Sequence, residues 1–372
     1  MAYADLVSPG ATNFSALTNE QKTTWGRDLW KLARNHSFIN EFTGAGSNSL
    51  IQTINSLTKS EKGTRAVITL LADLDGDGIV GDNQLEGNEE SINSYEMVVQ
   101  IDQLRNANRV AGRMADQKSI VNFREASRDV LAYWLADRID QLAFLSLSGV
   151  AYSQNTDGTA RTGSTLINLD FAADVTQPTR AYSWSSAGAL AAGTFATVAA
   201  AATPLTAGTG KASYEMIVEL RAAARDTNLR GVKGSAGNEL YHMFLTPQAM
   251  AELKLDPNFL ANVRNAGARG GTNPLFAGSA SYLVDGVMVH EYRHVYSKAG
   301  KARALFCGAQ AMAMADIGTP EWVEDTYDYQ NQSGISVSKI FGMKKAVFEK
   351  KTGAATVATL VDHGVITVDL SE

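Results

Sequence analysis

An α+β fold is what this sequence predicts, on three observations. From Asp116 to Ser148 the apolar residues recur at three- and four-residue spacing, the mark of an amphipathic helix. Over Trp322–Tyr329, Ile335–Glu349 and Thr356–Leu370 the pattern alternates with period two, the mark of strands. Helices and strands fall in blocks, without the strand–helix–strand rhythm of a parallel sheet.

Taken in order, residues 1–17 are polar and irregular around Pro9-Gly10. Thr18-Asn-Glu-Gln21 has the capping-box form and predicts a helix to about Asn35. Trp25, Leu29, Leu32 and Ala33 share one stripe of it, with Trp30 beside them. One such helix has too little surface to fold alone, so this arm must dock on something. Residues 40–60 read as irregular.

Two alternating runs, Thr64–Leu71 and Tyr95–Asp102, flank an acidic, glycine-rich stretch from Asp73 to Glu90 and predict an extended hairpin. Its arms are apolar on both faces. An isolated hairpin of that kind is not stable in water, so it wants a partner surface. The helix after the hairpin carries Ile120, Phe123, Ser127, Val130, Leu131, Trp134, Leu135, Ile139, Leu142 and Leu145 on its repeat. Roughly 33 residues make a rod of about 50 Å, stopped by Gly149.

Residues 150–210 are turn-rich and of low complexity, with a short strand candidate at Leu166–Phe171. A second helix starts at Lys211, carries Met216, Ile217 and Leu220, and ends near Gly231. The strand Leu240–Leu245 leads into Thr246-Pro-Gln, a hydroxyl and a proline where a helix begins. Strand patterns come next at Tyr282–Val284, Val287–Val295 and Ala302–Phe306, and the three alternating runs near the C-terminus predict a terminal antiparallel sheet.

Bulk composition narrows the function. With 45% hydrophobic and 19% charged residues, the 372-residue chain belongs among folded proteins. A net charge of −6 argues against a dedicated nucleic-acid binder held by basic patches. The single Cys307 cannot form an internal disulfide. Residues 181–210 carry no charge but also no sustained Leu, Ile, Val or Phe, so a membrane span is not expected. The N-terminus lacks the basic start and apolar core of a signal peptide, which points to synthesis in the cytoplasm.

Three motifs invite chemistry. Asp73, Asp75 and Asp77, with Gly78 after them, form the first half of a calcium loop. The position that should supply a bidentate Glu is Gln84, the nearest Glu is Glu86, and the flanks are strands. A calcium-dependent binding or adhesion module is therefore kept as the alternative to an acidic tip held soluble by its composition. His290-Glu-Tyr-Arg-His294 matches a zinc-hydrolase signature, but that chemistry needs both His on one helical turn. Here β-branched and aromatic neighbours predict a strand, where residues four apart lie about 13 Å from each other. Gly208-Thr-Gly-Lys-Ala-Ser213 lacks the first glycine and the metal-binding hydroxyl of a phosphate loop. No nucleophile–base pair is marked, so neither an enzyme nor a cofactor is expected. Arg105, Arg109 and Arg113 stand at four-residue spacing. They read either as a solvated helix face or as a basic strip that accepts another subunit's acidic tip.

The order of arm, long hairpin, long helix and α+β body resembles the HK-97 fold of tailed-phage major capsid proteins. Leu85-Glu-Gly-Asn-Glu-Glu90, Tyr95 through Gln103, Arg105 and Gly112 are similar to the N-four-like podophage capsid family. Phe276-Ala-Gly-Ser, Gly286, Ala309-Gln-Ala311, Asp328-Tyr329 and Gly342-Met-Lys-Lys345 fit it as well. The likeness runs from about Arg65 to Glu349. It implies an N-terminal arm over residues 1–62, an E-loop hairpin over 63–104 and the P-domain spine helix over 105–150. It further implies a connection packed on the P-domain over 151–209, an A-domain over 210–320 and returning P-domain strands over 321–372. The implied function is self-assembly into pentamers and hexamers of an icosahedral shell around double-stranded DNA, which is enclosed without sequence-specific binding. Scaffolding, portal and decoration proteins are the implied further partners. Expected subunit-interface residues are Asp82, Glu86, Glu89 and Glu90 at the tip, Arg105, Arg109 and Arg113 beyond it, and Trp25 and Trp30 of the arm.

Overall fold

The computed structural model describes residues 19–54, 63, 65–71, 79–81, 83–84, 86, 89, 94–119, 123–185, 189–193, 210–234, 237–266, 281–350 and 359–372. The arm enters as helix α1 (Asn19–His36), succeeded by the short strands β1 (Thr43–Gly44) and β2 (Ile51–Ile54). Strands β3 (Arg65–Leu71) and β4 (Ser94–Gln100) pair antiparallel, from Arg65 opposite Gln100 to Leu71 opposite Ser94, so the expected hairpin is present.

Beyond the hairpin the chain departs from expectation. Residues 105–109, expected in the spine helix, lie in strand β5 (Asp102–Arg109). The rod expected from Asp116 is broken into α2 (Arg113–Lys118) and α3 (Phe123–Ser148), with Ser119 extended between them. Helix α2 buries none of its residues, so no apolar row holds a continuous helix onto the core there. The spine is therefore 26 residues, about 39 Å at 1.5 Å per residue. Its stop is as expected. Gly149 takes φ +68°, and the Val150 amide bonds to Leu145 O while the Gly149 amide bonds to Ser146 O, a Schellman closure.

Residues 166–174, expected in part as strand, form two 3₁₀ turns, Leu166–Asn168 and Asp170–Asp174. Strands β6 (Ala181–Trp184) and β7 (Leu190–Gly193) come next. Helix α4 (Tyr214–Asp226) starts at Ser213, whose hydroxyl accepts from the Met216 amide. Strands β8 (Val232–Lys233) and β9 (Glu239–Leu245) lead to α5 (Pro247–Leu255), where Thr246 accepts from the Ala249 amide and Pro247 takes the first turn. Helix α6 (Pro257–Ala266) precedes strands β10 (Ser281–Val284), β11 (Val287–Glu291), β12 (Lys301–Cys307) and β13 (Met312–Asp316). The chain closes with β14 (Glu321–Tyr327), β15 (Gln332–Lys345), β16 (Val347–Lys350), β17 (Thr359–Asp362) and β18 (Val365–Ser371).

Two main sheets organise these strands. The first runs β1-β2-β13-β15-β14, and β15 also pairs with β5. The second runs β10-β11-β9-β12-β18-β6-β7, with β8 on β9. The single terminal sheet expected from the alternating runs is thus divided. Strands β14 and β15 join the first sheet, β16 and β17 pair with each other, and β18 pairs with β12 in the second.

Alternation along the second sheet feeds two cores. Phe244, Leu305, Cys307 and Val365 face a core built with α1, α3 and β15. Met243, Leu245, Ala304, Phe306, Ile366 and Val368 face another built with α4 and α5. Strands buried on both faces read as continuous apolar runs, which is why β12 was legible as a buried strand; β18, read as period-two alternation, is buried along its whole length.

Candidate subunit-contact surfaces

The hairpin is seated on its own body. Ala66, Ile68, Met97, Val99 and Ile101 pack with Ala313, Ala315, Ala346 and Phe348. One of its two apolar faces therefore finds its partner within the chain. On the other face Val67, opposite Val98, remains 48% exposed. Two residues of β15 fix the seat. A Cβ at Gly342 would lie 2.0 Å from Gln100 O, so only glycine lets the end of β4 cross there. Lys344 donates to Val98 O at 3.1 Å and to Asp174 Oδ1 at 3.0 Å.

Arg105 and Arg109 project from the outer face of β5, and both are exposed. In a strand, as on a helix, residues four apart share a face, so Arg105 and Arg109 stay on one face, and Arg113 falls on the next element. The Arg109 guanidinium lies 5.6 Å from the centre of the Tyr327 ring. Arg113 opens α2, and its amide donates to Asn331 Oδ1 at 3.3 Å. None of the three arginines forms an ion pair with a carboxylate among the described residues. Beside them Asp328, Tyr329 and Gln330 all take positive φ, and Tyr329 is fully exposed at the turn between β14 and β15. At the hairpin tip, Glu86 and Glu89 are exposed. Asp73, Asp75, Asp77, Asp82 and Glu90 lie outside the described residues, as does the side chain of Trp25.

The arm docks on its own chain, and its expected contact residue is drawn inward. Leu29 and Ala33 are buried against the α3 core. Trp30 is half-buried under Lys339, whose Nζ lies 3.6 Å from the ring centre and also bonds Asp316 Oδ1 at 2.6 Å. The tryptophan expected at a subunit interface thus spends one ring face on a cation–π contact inside the subunit.

A hub that sequence reasoning missed holds the arm. Asp140 of α3 accepts from Ser37 Oγ at 2.6 Å, from the amides of Phe38 at 2.9 Å and Ile39 at 3.4 Å, and from Tyr292 Oη at 2.5 Å. Burial pushes its carboxyl above the usual range, against the pull of these hydrogen bonds. Phe38 stacks on Tyr292 with ring centres 4.1 Å apart. The available signal was a carboxylate beside Ile139 in an otherwise buried row.

The two histidines of the zinc-like motif go to different places. His290 Nε2 lies 3.0 Å from His242 Nδ1, and burial, then His242, lowers its pKa to about 4. His294 leaves the strand, which ends at Glu291, and its Nε2 lies 2.7 Å from Asp137 Oδ1. They do not converge on a common point. Two ion pairs are wholly internal: Arg303 Nε to Asp369 Oδ1 at 2.8 Å, and Lys345 Nζ to Asp362 Oδ1 at 2.9 Å. Arg303 also donates to Ser148 O at 2.9 Å, a cation on the C-terminal carbonyls of the spine helix. Buried charge here stitches elements together, whereas Arg105 and Arg109 stand exposed on β5.

Comparison with known proteins places the chain in a family. A family described as "Phage capsid protein" matches residues 13–371. The major capsid protein of Pseudomonas phage KPP25 is 52% identical over 355 residues, covering 91% of this chain and 92% of that protein. Among solved structures, the capsid of Ralstonia phage GP4 superposes with a TM-score of 0.69 at 24% identity, over 100% of this chain and 97% of its own. The capsid of cyanophage Pam1 does so at 0.69 and 19% identity, over 90% of this chain and 92% of its own. These shared folds are HK-97-like, the family is one of structural proteins and not of enzymes, and the calcium-module alternative gains no support. The chain belongs to the phage capsid protein family, whose members build the shell of the virion.

Proposed function

We propose that this subunit assembles into pentamers and hexamers of an icosahedral shell enclosing a double-stranded DNA genome, with each hairpin tip set against a neighbour's arginine row. The carrying observation is the row itself: Arg105, Arg109 and Arg113, exposed and without a carboxylate partner among the described residues, in a chain whose tip is acidic throughout. Opposite patches of this kind steer encounter and fix register between subunits. The remaining outward apolar face of the hairpin, with Val67, adds buried area at the same contact. Synthesis in the host cytoplasm, a podophage particle, and scaffolding, portal and decoration partners belong to the same reading.

The test is charge reversal, read by sedimentation and negative-stain microscopy. E86K/E89K/E90K should abolish shells while the subunit keeps its thermal unfolding, and R105E/R109E/R113E should do the same. Combining the two sets should restore particles. Loss of folding in step with loss of assembly, or no rescue by the combination, would sink the pairing.

A further inference from the structure

Helix α1 carries a second row of cations, unlike the first in its setting. Arg27, Lys31 and Arg34 recur at four- and three-residue spacing, so they share one helix face over about 10 Å. All three are exposed. With Trp30, Asn35, Asn40 and Thr319 they line a recess of about 500 Å³. None forms an ion pair with a carboxylate among the described residues, although Asp28 shares their helix. Arg34 instead donates from Nε to Asn40 Oδ1 at 3.2 Å. A solvated helix face normally intersperses both signs. Here three cations surround a concavity whose other polar members are amides and a hydroxyl, the groups that commonly bond phosphate oxygens.

We propose that this recess is a sequence-independent phosphate site for the DNA inside the shell, with Arg27, Lys31 and Arg34 set against the backbone of one strand. The proposal rests on the reading of the chain as a DNA-enclosing capsid subunit. A duplex presents one phosphate per about 3.4 Å of axis on each strand, so a row of about 10 Å faces about three. The site recognises charge and spacing and reads no base. It reconciles a chain of net charge −6 with a polyanionic cargo: the cations that meet DNA are gathered in one place.

The test uses the full chain as purified subunits and a short duplex, with fluorescence anisotropy over a salt series. R27Q/K31Q/R34Q should reduce the slope of log affinity against log salt by about 2.7, or about 0.9 for each cation removed from a phosphate. The single K31Q should remove about 0.9, which protects the test if the triple variant folds poorly. Glutamine keeps helix propensity close to that of Lys and Arg, and circular dichroism checks the fold. K118Q/K211Q/K233Q removes the same charge at exposed positions elsewhere and should leave the slope unchanged. Equal losses in both triple variants, or no binding by the unaltered chain at low salt, would overturn the site. So would an α1 variant that binds DNA normally but no longer forms shells, because the occupant would then be an acidic segment of a neighbouring subunit. Shell formation by the unaltered chain is scored separately by sedimentation, and its absence would count against the capsid reading itself.

Discussion

Lys345 and Asp362 are completely buried and lie 2.9 Å apart, whereas Arg105 and Arg109, on a strand that pairs with the same β15, stand in the open. Both sets are charged, and both sit on or beside one fourteen-residue strand. The difference lies in where the counter-charge resides. Inside, the chain supplies it, because an unpaired buried charge would cost too much to keep. Outside, water tolerates a lone cation, so its counter-charge can belong to another molecule. The first kind of charge holds the subunit together, and the second is the kind on which the proposed contact between subunits relies.

That contrast can be broken or sharpened by ranking variants on subunit stability. Lys345→Met should cost most, about 3–5 kcal/mol in denaturant unfolding, since it strands Asp362 in the interior. A cost as small as that of a surface change would mean the pair is not a stitch. Asp140→Ala should cost about 3 kcal/mol, because Ser37, Phe38, Ile39 and Tyr292 lose one shared acceptor. Limited proteolysis of that variant should cut first near the arm.

Acid should act through the histidines. The folded-state pKa of His290 is lowered to about 4, so between about pH 6.5 and 4 the unfolded chain binds more protons and stability falls as pH falls. His363, lowered to about 4 by burial and by Arg230 and Arg180, adds a loss in the same window. Asp140 acts with the opposite sign, because its raised pKa makes the ionised form costly and acid relieves it. The pH series for His290→Gln should therefore be shallower than that of the unaltered chain, and parallel curves would refute the assignment. Smallest of all, R105E/R109E/R113E should move subunit stability by no more than about 0.5 kcal/mol while removing particles.

Much of the fold was legible because it is local. The hairpin, the spine and its glycine stop, the Thr246-Pro247 start and the buried strand at 302–306 all announce themselves within a few residues. The exchange of helix for strand at 105–109 was not legible. Arg105-Asn-Ala-Asn-Arg109 has no apolar alternation, since β5 owes its pairing to the backbone of β15 and not to buried side chains of its own. Which sheet a strand joins is equally invisible to local pattern, so β18 was expected in one terminal sheet with β14 and β15 and is found beside β12 in the other. The Asp140 hub draws donors from Ser37 and from Tyr292, 103 and 152 residues away in sequence, and no spacing rule reaches that far. Of the expected contact residues, Arg105, Arg109 and Arg113 were marked by spacing alone, and all three are exposed. The inward turn of Trp30 depended on Lys339, which only the fold brings near.

Strand β15 gives the hairpin a mechanical root. β5 continues the chain directly beyond β4, and its register with β15 runs unbroken from Asp102 opposite Phe341 to Arg109 opposite Gly334. A pull on the tip along the strand direction loads those rungs together, in shear, instead of peeling them one at a time. A hairpin rooted in this way can carry tension at its tip without the subunit starting to unravel.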